Sequence, residues 1–168
     1  MNPKPLDLTQ LGARRSSGLP RLRLGIIIRA DIGPALEFVT AAGTRRAMFP
    51  ILGGEARGDG WTATILPGGA DFAVGQPDGS YAIEARYIMV MHDGTHVYVH
   101  NAGRMAACPD GGYNGHTCAT LEVAVGPHTA LGSPVWLGTA RAEAGDDDHV
   151  YIELWEAIFW RNQSLEDH

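Results

Sequence analysis

Four polar residues in the middle of the chain, Asp71, Glu84, Arg86 and Asn101, are of types suited to acid–base chemistry. A carboxylate takes a proton from a hydroxyl or an activated carbon. A guanidinium holds a substrate carboxylate or steadies a developing enolate or alkoxide, and an amide orients either partner. Two Asp-Gly pairs, Asp78-Gly79 and Asp93-Gly94, set their relative positions. Asp-Gly between β-type runs is a strong signal for a two-residue hairpin turn. With such turns Asp71 faces Arg86, Ala73 faces Glu84, and Arg86 faces Asn101. Asp71, Arg86 and Asn101 then lie side by side across three strands, with Glu84 two residues along. The rest of that face is Ala73, Ile88, Val90, Val97 and Val99, an apolar wall ending in a polar cluster. This is the make-up of a small-molecule pocket. Asp71, Glu84 and Arg86 are the expected catalytic set, and Asn101, Ile88 and Val99 the expected substrate-binding residues. The same row also reads as a structural network, because a buried Arg must be paired.

The opposite face carries Tyr87, Met89, Met91, His96, Tyr98 and His100. Two readings stand for it. If it is the interior, Tyr98 joins the binding residues and a Tyr–His acid–base pair is available. Otherwise it is an outer face covered by a partner subunit. A one-residue error in either turn exchanges the two faces. His96 and His100 are about 13 Å apart along an extended strand, too far to share a metal. The other histidines, His92, His116, His128 and His149, have no familiar ligand spacing, so no metal is expected. Cys108 and Cys118 read as free thiols rather than a bridge in a reducing compartment. The stretch 103–118, GRMAACPDGGYNGHTC, follows neither a helix nor a strand period and is expected to form a lid or rim, while the acidic turn 146–148 reads as a solvated tip.

These residues sit in a chain of short β-type runs separated by turn signals. The runs are 22–31, 47–57, 61–66, 70–76, 81–92, 95–101, 119–126, 134–142 and 149–160. The chain has 22 Gly and 10 Pro in 168 residues, well above their average joint share of roughly 12%. About nine strands in one small domain must close or stack to hide their edges. The expected fold is all-β, a single closed antiparallel barrel of eight to ten strands over 21–162. Residues 1–20 read as a loose arm and 163–168 as a tail.

Composition removes several function classes. The net charge of −6 opposes phosphate binding, so nucleic acid is not expected. No apolar run approaches the ~18 residues of a membrane span. The N-terminal stretch has no apolar signal core, and a cytoplasmic protein is expected. The one lysine, Lys4, lies in the arm, so Schiff-base chemistry and a Walker A site are not expected. No cofactor is expected.

The chain resembles the domain-of-unknown-function 3237 family. The resemblance runs over roughly 22–160. It is most specific at Pro-Gly-Gly-Ala-Asp (67–71), Glu-Ala-Arg-Tyr (84–87) and Asn-x-Gly (101–103), and continues loosely through VWLGTARAE (135–143). The resemblance implies a closed barrel similar to the allene-oxide-cyclase and calycin-like barrels, commonly packed as a homodimer. Some members look like cofactor-free cyclases that add an internal hydroxyl to an alkene or enone. The motif positions coincide with Asp71, Arg86 and Asn101. The chain departs from the family pattern after Asn-x-Gly: the insertion is short and His116 stands near an Arg position, so His116 is an expected rim residue contacting substrate. The family's Trp-Leu-Asn reads Trp136-Leu137-Gly138 here. Two functions are carried forward. One is a cofactor-independent cyclase or isomerase for a hydrophobic oxygenated small molecule, of the kind found in natural-product biosynthesis. The other is a barrel that carries such a molecule without turnover.

Overall fold

The computed structural model describes residues 20–159, so most of the expected arm and all of the expected tail lie outside the described residues. Among these residues there are ten strands: β1 (Arg21–Ile32), β2 (Leu36–Val39), β3 (Arg45–Gly58), β4 (Trp61–Ile65), β5 (Gly69–Gly75), β6 (Tyr81–Met91), β7 (His96–Ala107), β8 (Tyr113–Val123), β9 (Val135–Ala142) and β10 (His149–Ile158). Among the described residues the one helical element is a 3-10 turn, Thr129–Gly132.

All pairings are antiparallel, and they close. β1 pairs with β10, and the order continues β9, β8, β7, β6. β3 pairs back onto β1 and shuts the ring. Between β3 and β6, β5 and β4 share one place: β5 fills the first halves of both neighbours and β4 the second halves. β2 likewise continues the line of β1 along β3. The result is an eight-stave barrel with no long open edge. β3 carries Gly54 at φ 131°, where an added Cβ would lie 2.2 Å from the Arg29 carbonyl. Only glycine fits both constraints there.

Alternation sorts the two surfaces. Along β8 the residues Gly115, Thr117, Ala119 and Leu121 are buried and the intervening ones exposed. Ile26, Ile28, Ile65, Met89, Met91, Val97, Val99 and Leu154 fill the interior away from the mouth described below. Trp136 joins them, its indole N–H donating to the Leu131 carbonyl at 3.0 Å. Its ring lies where Gly25 leaves space, 2.6 Å from an added Cβ.

Three expectations need correcting. Residues 36–39 form a strand that carries no strong β signal. The stretch 103–118 is mostly strand: β7 runs on to Ala107 and β8 starts at Tyr113. The third correction is the register. Both Asp-Gly turns are three-residue loops rather than two-residue ones. Gln76 N–H donates to the Ser80 carbonyl at 2.8 Å and Met91 N–H to the Thr95 carbonyl at 2.9 Å. Gly79 and Gly94 take positive φ at the last loop position, as in a type I turn with a G1 bulge. The loop at 108–112 repeats the pattern, with Cys108 N–H on the Gly112 carbonyl at 2.8 Å.

Candidate active site

The longer loops shift each pairing by one residue. Asp71 stands opposite Ala85, and Ala85 opposite Asn101, so this row faces inward. Arg86 stands opposite Ala70 and His100, and Glu84 opposite Phe72 and Ala102. The expected set is therefore split by the sheet. Asp71 and Asn101 share the inner face; Glu84 and Arg86 are on the outer one.

The outer group is a salt-bridge cluster. Arg86 Nε donates to Glu84 Oε1 at 3.1 Å, its Nη2 donates to the same oxygen, and His100 Nε2 lies 3.0 Å from it. Arg86 above all, then His100, holds the Glu84 carboxyl below its ordinary range. Both Glu84 and Arg86 are substantially exposed.

The other expected binding residues also lie away from the interior space. Ile88 is exposed on the outer face opposite Tyr98. His116 is exposed on β8 opposite Arg104. Val99 points inward but is fully buried in the packed half of the barrel. The face expected to carry Tyr87, Met89, Met91, His96, Tyr98 and His100 is split in the same way: the three β6 residues are buried inside the barrel, and His96, Tyr98 and His100 lie on its outer surface. Both cysteines are free thiols.

A cavity of about 330 Å³ opens at the end of the barrel where β5, β7 and β9 finish and β6, β8 and β10 begin. Its walls are apolar: Ile32, Ala47, Phe49, Ala73, Ile83, Met105 and Val150. Tyr81 and Tyr113 stand at the rim with ring centroids 6.2 Å apart in an edge-on arrangement. The acidic lining groups are Glu37, Asp71, Glu143, Asp146 and Asp147, joined by His149. None of the lining residues is Lys or Arg.

Asp71 is the carboxylate set deepest among these apolar walls. β5 holds it between Phe49 of β3 and Ala85 of β6. The Glu84 N–H donates to its Oδ1 at 3.0 Å. Burial pushes its carboxyl up to about 6; the Glu84 N–H opposes that rise and the Glu84 charge adds to it. Loss of water around a carboxylate disfavours its charged form. No Arg offsets this, because Arg86 is on the other side of the sheet.

The acidic turn is more than a solvated tip. Asp146 folds back over the rim. Its Oδ1 lies 2.8 Å from His149 Nδ1, and its Oδ2 accepts from the Tyr151 hydroxyl at 3.2 Å. His149 first of all holds the Asp146 carboxyl below its usual range. Asp31 completes the rim network, accepting from Arg29 Nε at 3.0 Å.

Sequence reasoning missed Tyr87. It lies on the inner face of β6, two residues from Ala85, and is 3% exposed. Its phenol is pushed well above the usual tyrosine range, first by burial and then by the Asp71 charge. Its place was legible in the alternation of Ile83, Ala85, Tyr87, Met89 and Met91, once the face was known.

Comparison with known proteins agrees with the barrel. A crystal structure of a conserved protein of unknown function from Rhodopseudomonas palustris superposes with TM-score 0.74 at 26% identity, covering 83% of this chain and 98% of that one. A β-barrel-like protein from Acinetobacter baumannii superposes with TM-score 0.72 at 20% identity, covering 93% and 98%. An enzyme from Penicillium herquei shares the fold more distantly, with TM-score 0.61 at 15% identity over 93% and 100%. In sequence, a UPF0311 protein of R. palustris is 45% identical over 73 residues, 44% of this chain and 46% of that protein. The chain thus spans about half the length of the curated relatives it matches. A family model matches residues 20–157, nearly the whole barrel, and the chain belongs to the family described as "Protein of unknown function (DUF3237)".

Proposed function

We propose that this barrel is a cofactor-independent cyclase or isomerase for a hydrophobic, oxygenated small molecule, with Asp71 as its acid–base group. The observation that carries the reading is a carboxylate on the wall of an apolar cavity with no Arg or Lys beside it, pushed up to about 6 by burial. A general base works best when its pKa lies near the operating pH. At pH 7 a group of this kind is about nine-tenths ionised, with a usable protonated fraction. In the forward direction Asp71 takes the proton from a substrate hydroxyl as its oxygen attacks an alkene or enone carbon. The proton then returns to the neighbouring carbon, so the reaction is redox-neutral and needs no co-reactant. Glu84 and Arg86 lie outside the cavity, and in this reading they stiffen the sheet rather than touch substrate.

The lining also bears on the substrate. Four rim acids with no Lys or Arg among them oppose a carboxylate or phosphate, so a neutral molecule fits best. The P. herquei protein that shares the fold is an enzyme, which favours turnover at the level of fold alone.

The carrier reading draws on the apolar walls, which would suit storage as well as chemistry. Asp71→Asn separates the two. Turnover of a panel of hydroxy-enones, followed by loss of enone absorbance with no added cofactor, should fall at least ~100-fold with binding retained. A carrier shows no turnover in the wild type and only a modest affinity change. The proposal also includes a cytoplasmic homodimer that covers the outer face at Phe72, Ile88 and Tyr98; Phe72 is 53% and Ile88 41% exposed. Light scattering showing a monomer at micromolar concentration would remove that part.

A further inference from the structure

Three polar side-chain atoms in the barrel interior have no hydrogen-bond partner among the described residues: Tyr87 Oη, Asn101 Oδ1 and Thr117 Oγ1. Their residues are 3%, 4% and 7% exposed. A buried polar group left unpaired is costly, and native structures contain few. Here three occur on three consecutive strands, β6, β7 and β8, all on the inner face.

Register places Asn101 in the row of Asp71, with Tyr87 one inward position deeper and Thr117 one inward position nearer the mouth. Asn101 shares its row with Ala85 and Asp71. Tyr87 is the next inward residue after Ala85, diagonal to both Asp71 and Asn101. Thr117 stands opposite Gly103, diagonal to Asn101. Such diagonal neighbours on one face are about 7–8 Å apart at Cα, within reach of long side chains. The residues between them are small: Ala85, Gly103 and Ala119. Gly69, two residues before Asp71, makes room for Tyr87, whose Cβ would lie 2.6 Å from an added Cβ there. Thr117 leans across Gly138, its hydroxyl 2.1 Å from where a Cβ would stand.

We infer that Tyr87 and Asn101 form a hydrogen-bonding recess beneath Asp71 that receives a hydroxyl oxygen of a neutral ligand, with Thr117 a separate polar contact nearer the mouth. Tyr87 donates to that oxygen, and Asn101 Oδ1 accepts its proton's hydrogen bond. Thr117 serves as donor or acceptor to a second polar atom. The apolar body of the ligand stays in the cavity above, against Phe49 and Ile83. The recess thereby sets which end of the ligand enters first and holds its oxygen next to Asp71. This inference rests on the cavity being a ligand site, and is independent of whether Asp71 performs acid–base chemistry.

The test uses the full chain and two probes that differ by one oxygen, 2-naphthol and naphthalene, with affinities read by titration calorimetry or fluorescence. The wild type should bind 2-naphthol about tenfold more tightly, the size of one or two net hydrogen bonds. Tyr87→Phe should reduce that preference to about twofold while leaving naphthalene affinity unchanged. Asn101→Leu, which removes the acceptor for the same oxygen at similar volume, provides a second variant should the first perturb packing. Tyr87→Phe should also melt no lower than the wild type without ligand, since the lost hydroxyl has no protein partner. Equal affinity for the two probes, no binding of either at millimolar concentration, or an unchanged preference in Tyr87→Phe overturns the inference. Loss of the preference together with wild-type turnover in Asp71→Asn would sustain the recess and refute the acid–base role.

Discussion

Asp71 and Arg86 lie on opposite faces of the same sheet. Arg86 pairs with Ala70 rather than Asp71, and its guanidinium turns outward to Glu84 beside His100. The carboxylate on the inner side therefore has no cation, and burial governs its ionisation. Had the two shared a face, the ion pair would have kept Asp71 a weak base.

The first prediction concerns pH and stability. Asp71 has a folded pKa of about 6 against 3.8 for the free side chain. A carboxyl raised on folding contributes stability that is fully present below about 3.8 and is lost as pH rises through about 6. The amount is on the order of 3 kcal/mol. Asp71→Asn removes this dependence while its amide oxygen still accepts the Glu84 N–H. The melting-temperature difference between Asp71→Asn and the wild type should therefore grow in favour of the variant from pH 4 to pH 7. A difference constant with pH would show that Asp71 is not raised.

Glu84→Gln tests the split of the polar set. It weakens an exposed outer cluster and touches no cavity wall. Turnover and 2-naphthol affinity should stay within about twofold of wild type. A large loss of either would place Glu84 in the site after all.

Gly69→Ala should be destabilising by about 1–3 kcal/mol, the usual cost of overpacking. The added methyl meets the Arg86 carbonyl at 2.5 Å and Tyr87 Cβ at 2.6 Å, and neither yields without moving β6. Chemical denaturation measures the cost. Because Tyr87 is displaced, the 2-naphthol preference should shrink in the same variant.

Trp136→Ala should cost about 3–5 kcal/mol. It empties a site 3% exposed and leaves the Leu131 carbonyl without its indole donor. Equilibrium unfolding in urea reads it directly.

Particular residues show what the sequence disclosed and what it hid. Strand runs such as 61–66 and 81–92 lie close to β4 and β6, because β-branched and aromatic residues alternate there between clear turn signals. The barrel follows from their number. Asp71 and Asn101 share a row as expected, but through Ala85 rather than Arg86, because the two one-residue register errors cancel. The assignment of Arg86 was not legible, because it depended on loop length. Asp-Gly fits both a two-residue turn and the end of a three-residue one. Pro77 before Asp78 was the available clue: proline favours the second position of a type I turn, which leaves Gly79 as the bulge. Pro109-Asp110-Gly111 carries the same signal, and reading it would have revealed the β7–β8 hairpin. Residues 36–39 pair only with part of β3 and are exposed along their length, so no alternation marked them.

The ionisation of Asp71 tests the account most directly. Carboxyl carbon chemical shifts of the aspartates, with Asp71 assigned by its absence in Asp71→Asn, give its titration in the intact chain. The account predicts a midpoint near 6, moved further when 2-naphthol occupies the cavity. A midpoint near 3.9, the ordinary aspartate value, insensitive to 2-naphthol, would contradict it.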